Sequence, residues 1–396
     1  MAKPVSQAYI IAARRTALGR IGGLHRRRRL EDLASPVICR LLEDVEIRTS
    51  QVDEVIVGNA TAGSNPARVI ALASGLSEAV NATTVDQQDA SGLVAVISAV
   101  RLIEHGEANV VVAGGAESLS TAPWRIARPR SVHQIPHFIL PDALANGDER
   151  GPIALETTEE IARRMNISRA RQDTFAARSM DRAATARKAK RFGNEIVPLR
   201  HRPEEMHDQT TSEVDLDELE AELPFLEDGG TLTAANTSTL HDGAAFVLVV
   251  SSAIWQELGC PPALQLFASA SLGVPPGCET SAPIAAVEKL YKRLTDFDAS
   301  DVQFIETSET SAVQAVALAE ALGIDELVIN SEGGAIARGH PFAAAGAILV
   351  VRLFQQMIRE SDVCDQARYG LATLSANGGL GVAALFSVNH TRKSAA

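Results

Sequence analysis

Asp89, His340, Ser308 and Ser375 are the side chains whose types and settings could do chemistry in this chain. Asp89 ends a polar kink, Asp86–Asp89, between a short strand-like run closing at Thr84–Val85 and an almost wholly apolar helical stretch, Ser91–Ile103. There it faces first-turn amides and the positive end of a helix dipole, a setting that holds an anion. Two readings stay open: a group in the chemistry, or an N-cap of the buried helix. His340 stands between Gly339 and Pro341 at a loop-to-helix turn, where its ring N–H can reach a carbonyl oxygen or simply be satisfied in a core. Ser308 lies in Glu306–Ser311 beside Glu309, which reads as a base or as a structural carboxylate. Ser375 lies in Thr373–Gly381, two residues before Asn377, and packing suits it as well as chemistry does. A carboxylate is a poor nucleophile, and its acyl product would be a mixed anhydride open to hydrolysis. A serine hydroxyl is too weakly acidic to serve as a base. What this set offers is proton transfer and stabilisation of an oxyanion, not strong nucleophilic attack.

The elements that must position these groups read as α/β. Gln7–Ala12 is expected as a first buried strand, Leu30–Leu42 as a helix and Val52–Val57 as a second strand. Another helix opens at Asn65–Pro66, with proline where a first turn tolerates it. Asn109–Ala113 is a β-branched run ending in Gly114–Gly115. A buried helix between buried strands belongs to doubly wound proteins, whose sites lie beyond the strands' C-terminal ends. After Ser120 the texture changes: residues 123–152 have no sustained period, Glu156–Ala189 is helical, Glu195–Pro198 is a short strand, and His201–Glu227 is acidic. One long excursion between core elements reads as a loop domain laid over the site. The core returns at Thr231–Asn236 and in the strand Phe246–Val250.

The second half then repeats the first. Ser91–Gly92–Leu93 leading to Arg101–Leu102–Ile103 is matched by Ala345–Gly346–Ala347 leading to Val351–Arg352–Leu353. Each helix is followed by a strand closing on glycines, Gly114–Gly115 and Gly378–Gly379. Matching order at two places predicts duplicated halves with the site where the two helix starts converge.

At 396 residues with 46% hydrophobic and 22% charged residues, the chain has room for two well-buried cores. A net charge of −12 gives no reason to expect nucleic acid as a partner. The one basic concentration, His25–Arg29, reads as a solvated face or a phosphate patch. Cys39, Cys260, Cys278 and Cys364 have no metal-ligand spacing and read as reduced thiols. No apolar run approaches the roughly 20 residues that span a bilayer, and Lys393–Ala396 is not a peroxisomal address. A cytoplasmic protein with no membrane partner is expected.

From Ala12–Arg15 to Gly378–Gly381 the chain resembles the thiolase superfamily of acetyl-CoA acetyltransferases and 3-ketoacyl-CoA thiolases. The resemblance rests on Ala90–Ser91–Gly92, Asp242–Ala245, Gly339–His340–Pro341 within Asn330–Gly346, and Gly378–Gly381. It implies two duplicated βαβαβ halves, each with a mainly parallel sheet, and central helices buried between the sheets. The implied domains are residues 1–120 with 233–252, a loop domain at 121–232, and 253–396. The family's nucleophilic cysteine would stand at Asp89 and its second catalytic cysteine at Ser375. Ser308 falls where the family's Asn holds a water for the histidine, and the backbone amides of Asp89 and Asn377 fall at its second oxyanion hole. Ser269, Gly273, Pro283 and Ala345 fall in segments that contact substrate. The resemblance therefore implies an acyltransferase acting on CoA thioesters, with coenzyme A as substrate and no cofactor or metal. Ordinary thiolysis and condensation are expected to be impaired, with decarboxylase or hydrolase chemistry as an outlet. The alternative is a non-catalytic acyl-CoA-binding protein. A homodimer or dimer of dimers is implied.

Overall fold

The computed structural model describes residues 6–139, 154–200, 202–210, 216–227, 229–295, 297–359 and 369–389. Cys364 and the C-terminal Lys393–Ala396 lie outside them. The strands are β1 (Ala8–Arg15), β2 (Gly19–Arg20), β3 (Glu54–Gly58), β4 (Asn81–Val85), β5 (Val110–Glu117), β6 (His241–Ser251), β7 (Ala263–Gly273), β8 (Val302–Thr307), β9 (Tyr369–Ala376) and β10 (Leu380–Asn389). The longer helices are α1 (Leu30–Asp44), α2 (Pro66–Ala73), α3 (Ser91–Glu104), α4 (Ala154–Arg164), α5 (Arg169–Lys188), α6 (Ala282–Tyr291), α7 (Ala312–Leu322) and α8 (Ala345–Phe354).

The main sheet runs β4-β3-β5-β6-β1-β7-β10-β9-β8, and its two halves are joined through one pair, Ile10 opposite Leu264. The halves repeat. In the first, β3, α2, β4, α3 and β5 follow one another. In the second, β8, α7, a single parallel bridge between Ile305 and Ile329, α8 and β9 do the same. Three packed cores set the layers. α1 and α2 cover one face of the first half-sheet, α6 and α7 cover one face of the second, and α3 with α8 fill the space between.

The mainly parallel halves expected from sequence are corrected. Among the described strands only β3–β4, β3–β5 and β8–β9 pair in parallel; β5–β6, β1–β6, β7–β10 and β9–β10 are antiparallel. For β9 and β10 the reason is connection length. A helical crossover returns the chain parallel, whereas the tight turn Asn377–Gly379 between β9 and β10 can only reverse it. Two smaller expectations also change. Glu195–Pro198 makes a single bridge, Ile196 to Arg15, and no strand. The helix expected over Glu156–Ala189 is split, because Asn166 turns left-handed (φ 56) and Ser168 caps a new start, accepting from Arg171 N at 3.3 Å.

Glycine sets how closely the central helices meet. A Cβ on Gly92 would lie 2.8 Å from the Ala343 oxygen and 2.9 Å from Ala347 N. One on Gly346 would lie 2.7 Å from Leu93 N. The crossing thus sits at the first turn of both helices, which brings the residues just before them together.

Candidate active site

Asp89 does not cap α3. The helix is preceded by Ala90 with no side-chain cap, and Ser91 Oγ serves the turn instead, accepting from Gln87 N at 2.8 Å and donating to Gln88 O at 2.6 Å. The N-cap reading of Asp89 is therefore set aside. Gln88 is held at φ 52, a left-handed conformation a non-glycine residue rarely takes. Beyond that turn, the Asp89 carboxylate points away from the helix and across to the other half.

There it meets His340. Nε2 of the ring lies 2.7 Å from Asp89 Oδ1, with both residues buried. The His340 backbone is pinned on both sides: its N–H donates to Thr239 O and its carbonyl accepts from His241 N, each at 2.9 Å. Gly339 at φ 102 makes this possible, since a Cβ there would stand 2.4 Å from the His241 ring. Nδ1 of His340 is buried without a hydrogen-bond partner. The other carboxylate oxygen of Asp89 accepts from the backbone N–H of Asn377 at 3.2 Å. Asp89, from the first half, thus bridges an imidazole and a turn amide of the second.

The turn itself is held by a residue the sequence did not single out. Glu279 Oε1 accepts from Gly378 N at 3.2 Å, Gly379 N at 3.0 Å and Gly277 N at 3.1 Å. Three consecutive amides therefore each meet a carboxylate, an anion nest filled by Asp89 and Glu279 together. A lone glutamate about a hundred residues before its partners leaves no local signature.

Ser308 and Ser375 are joined to each other rather than to the pair. Ser308 Oγ donates to Gln314 Oε1 at 3.0 Å, and Gln314 Nε2 donates to Ser375 Oγ at 2.9 Å. Gln314, on the first turn of α7, was also missed. Ser308 does share with His340 and Ala345 a small cavity of about 20 Å³, the size of a single water site. Glu309 is structural: buried, it accepts from Ser179 Oγ, Asn330 Nδ2 and Ile336 N. Burial pushes its carboxyl above the usual range.

The expected substrate contacts divide. Ala345 opens α8 beside His340. Gly273 flanks the nest, opposite Leu380, whereas Pro283, at the start of α6, accepts from Thr373 Oγ1 on β9 at 3.5 Å. Ser269 is not brought to the site. It accepts from Arg101, near the far end of α3 and about 18 Å along the helix from Asp89 at roughly 1.5 Å per residue.

Behind the histidine turn lies a buried ion cluster. Arg15, Arg338 and Arg352 surround the Phe192 ring, their guanidinium carbons 5.6, 5.8 and 5.0 Å from its centre. Arg15 pairs with Glu195 at 2.7 Å and Asp208 at 2.6 Å; Arg352 pairs with Glu195 as well. Burial pushes Glu195 up, but Arg352 and Arg15 outweigh it and hold the carboxyl below its usual range. The basic run at His25–Arg29 is not wholly solvated either, since Arg28 is buried against Glu205 and 2.6 Å from His25 Nδ1. Among the described residues no cluster has the makings of a metal site, Cys39 and Cys278 are free thiols, and no helix is long and apolar enough to cross a membrane.

Duplicated α/β halves whose central helices start at one shared site, over a glycine turn of inward amides, define an acyl-transfer scaffold. The chain belongs to the thiolase family: the thiolase N-terminal domain matches residues 8–253 and the thiolase C-terminal domain residues 261–388. It is 34% identical over 388 residues to VraB of Staphylococcus aureus (strain MRSA252), covering 97% of this chain and 100% of that protein. It is 35% identical over 395 residues to the acetyl-CoA acetyltransferase of Cupriavidus necator, covering 96% and 98%. The crystal structure of the Bacillus anthracis acetyl-CoA acetyltransferase superposes with a TM-score of 0.89 at 28% identity, covering 98% of this chain and 100% of that one.

Proposed function

We propose that this protein acts on CoA thioesters without forming a covalent acyl-enzyme. The acyltransferase scaffold is kept, ordinary thiolysis and condensation are impaired, and the remaining chemistry is proton transfer by Asp89 and His340. The observation that carries this reading is the Asp89 carboxylate itself, held between His340 Nε2 at 2.7 Å and Asn377 N at 3.2 Å. These two donors are the ones a thioester oxygen would need as charge develops on it. A substrate carbonyl must therefore displace Asp89 from them, which frees the carboxylate as a base toward water. In hydrolysis, Asp89 takes a proton from water, the water oxygen attacks the carbonyl, the C–S bond breaks, and CoA leaves as a thiolate that takes up a proton. Decarboxylation of a β-keto thioester would use the same donors to hold the enolate. The acetyl-CoA names of the relatives support the thioester class.

A second reading is favoured by the same contact seen from the other side: a protein that binds acyl-CoA and turns nothing over, because both donors are already spent on Asp89. Incubation with a panel of acyl-CoAs, followed by mass spectrometry of protein and small molecules, separates the two. Free acid with free CoA, or loss of carbon dioxide, is the expected result. A retained complex with unchanged thioester leaves the binding reading. An acyl adduct on Asp89 overturns the non-covalent mechanism. We also propose a homodimer or dimer of dimers, supported by the half-exposed edge strand β4, which among the described residues pairs only with β3; native mass spectrometry tests it.

A further inference from the structure

The arginine run after His25 takes no part in the site around Asp89, yet it does not lie loose on the surface. Arg28 N donates to His25 O at 2.8 Å, closing a turn whose two corner residues are Arg26 and Arg27. The turn is fixed from below. His25 Nε2 donates to Ala17 O at 2.8 Å, so Nδ1 is the accepting nitrogen and meets Arg28 Nη1 at 2.6 Å. Burial lowers the pKa of this ring, and Arg28 beside it adds to that, so the ring is neutral. Arg28 Nη2 donates to Glu205, whose other oxygen accepts from Arg200 N. Gln209 Oε1 accepts from Arg20 N at 2.9 Å and Leu24 N at 3.0 Å, tying down the approach to the turn.

A cavity of about 350 Å³ opens between this turn and a second, distant segment of the chain, carrying Arg200 and Arg202. Five arginines and two glutamates line it, and both glutamates are engaged. Glu205 is spent on Arg28 and the Arg200 amide, and Glu204 lies 3.9 Å from Arg202. Among the described residues Arg26, Arg27 and Arg200 make no ion pair, and all three residues are exposed. Three unpaired guanidiniums around one cavity repel one another, and a bound anion relieves that. The chain as a whole carries a net charge of −12, so this concentrated positive field is local. None of the lining residues belongs to the Asp89–His340 pair, the amide nest or the small cavity beside Ser308.

We propose that this cavity is a second binding site, for a small molecule that carries two linked phosphates. Guanidinium groups grip phosphate oxygens in pairs, which a turn-mounted Arg26 and Arg27 facing Arg200 can do from two sides. One phosphate ester carries a charge of about −1.5 to −2 at neutral pH, less than three unpaired guanidiniums balance. Among the described residues the wall offers no aromatic ring for a base to stack on, and Leu24 is its one apolar side chain. Recognition therefore falls on the phosphates themselves. The volume stands at the small end of the roughly 300–1,000 Å³ range of ligand pockets, which suits a diphosphate and not a bulky partner. This site is independent of the CoA-thioester reading and stands or falls without it.

The test is calorimetry on the full chain with inorganic pyrophosphate, inorganic phosphate and CoA as separate titrants. Pyrophosphate should bind at least about tenfold more tightly than phosphate, and less tightly as salt is raised. Arg26→Gln and Arg200→Gln each remove one unpaired guanidinium and should weaken pyrophosphate binding about tenfold, with CoA binding unchanged. Both variants keep the buried Arg28–Glu205 pair and should melt at the wild-type temperature. Arg29 pairs with Glu31 at 2.9 Å outside the cavity, so Arg29→Gln should leave pyrophosphate binding unchanged. Equal loss in all three variants reports diffuse charge and overturns the proposal, as does equal binding of phosphate and pyrophosphate. If CoA displaces pyrophosphate and the same variants weaken CoA, the cavity holds the phosphates of CoA and there is no second site. Binding of phosphatidylserine vesicles without binding of pyrophosphate assigns the arginines to a membrane surface and overturns the proposal as well.

Discussion

At the scale of single residues, the proposed function turns on Asp89, a carboxylate where the resemblance to thiolases implies the nucleophilic cysteine. Losing a single oxyanion donor costs on the order of 10²–10³ in rate, and losing the nucleophile should cost more. Acetoacetyl-CoA thiolysis should therefore run at least about 10³-fold below that of a cysteine-bearing relative assayed alongside. Asp89→Cys alone should recover little, since Ser375 is held by Gln314 and cannot move the proton; Asp89→Cys with Ser375→Cys should do better. A wild-type turnover number in the ordinary enzyme range would sink this account. Glu117, at the end of β5, carries a different prediction. Burial pushes its carboxyl up to about 7, against the hydrogen bonds from Thr61, Ala60 and Asn59 that favour its charge. The folded state therefore binds this proton more tightly than the unfolded chain. Stability from this group is full below about pH 4.5 and is lost as pH rises toward 7, by about 3 kcal/mol at 1.36 kcal/mol per unit. Tm followed from pH 5 to 8 should fall, and Glu117→Gln should make that slope shallower.

At the scale of elements, the site depends on two close approaches. The first is the crossing of α3 and α8 at Gly92 and Gly346, which brings Asp89 within hydrogen-bond reach of His340. Adding bulk should wedge the helices apart. Gly346→Val is expected to cost about 1–3 kcal/mol in denaturant unfolding and to weaken acyl-CoA binding beyond what lost stability explains. An unchanged midpoint would show that the crossing is not tight. The second is the ion cluster around Phe192, which ties Glu195 and Asp208 of the excursion to Arg15 on β1 and Arg352 on α8. Glu195→Ala leaves two buried guanidiniums short of a partner. It should cost about 3–5 kcal/mol, the typical penalty for breaking a buried pair from one side. Arg15, Glu195 and Arg352 replaced together by apolar residues should still cost stability, because Asp208 and Glu332 then lose their guanidinium partners.

At the scale of the whole molecule, the duplicated halves were legible in the chain because a buried helix between buried strands has a long, unbroken apolar signature. Ser91–Ile103 and Ala345–Leu353 show it, and the structure puts both helices in one central layer. His340 and Asp89 were legible as a pair, since each sits just before one of those helices, and duplicated halves bring the two starts together. Strand direction was not legible. Whether β5 returns through β6 parallel or antiparallel depends on where a long excursion ends, and local residue preference says nothing of that. The side-chain partners were not legible either. Asp89 as a cap and Asp89 as a bridge differ only in a turn about the backbone at Gln88, and the choice falls to His340 and Asn377, some 250 and 290 residues away. Gln314 between the two serines and Glu279 under the nest are residues of ordinary type in ordinary settings until the fold closes. The sequence by itself determined which segments must be buried and where charge could sit among them. Which charge meets which donor is set by the tertiary structure alone, because a hydrogen bond acts over about 3 Å and the chain's pattern carries no information at that range between distant segments.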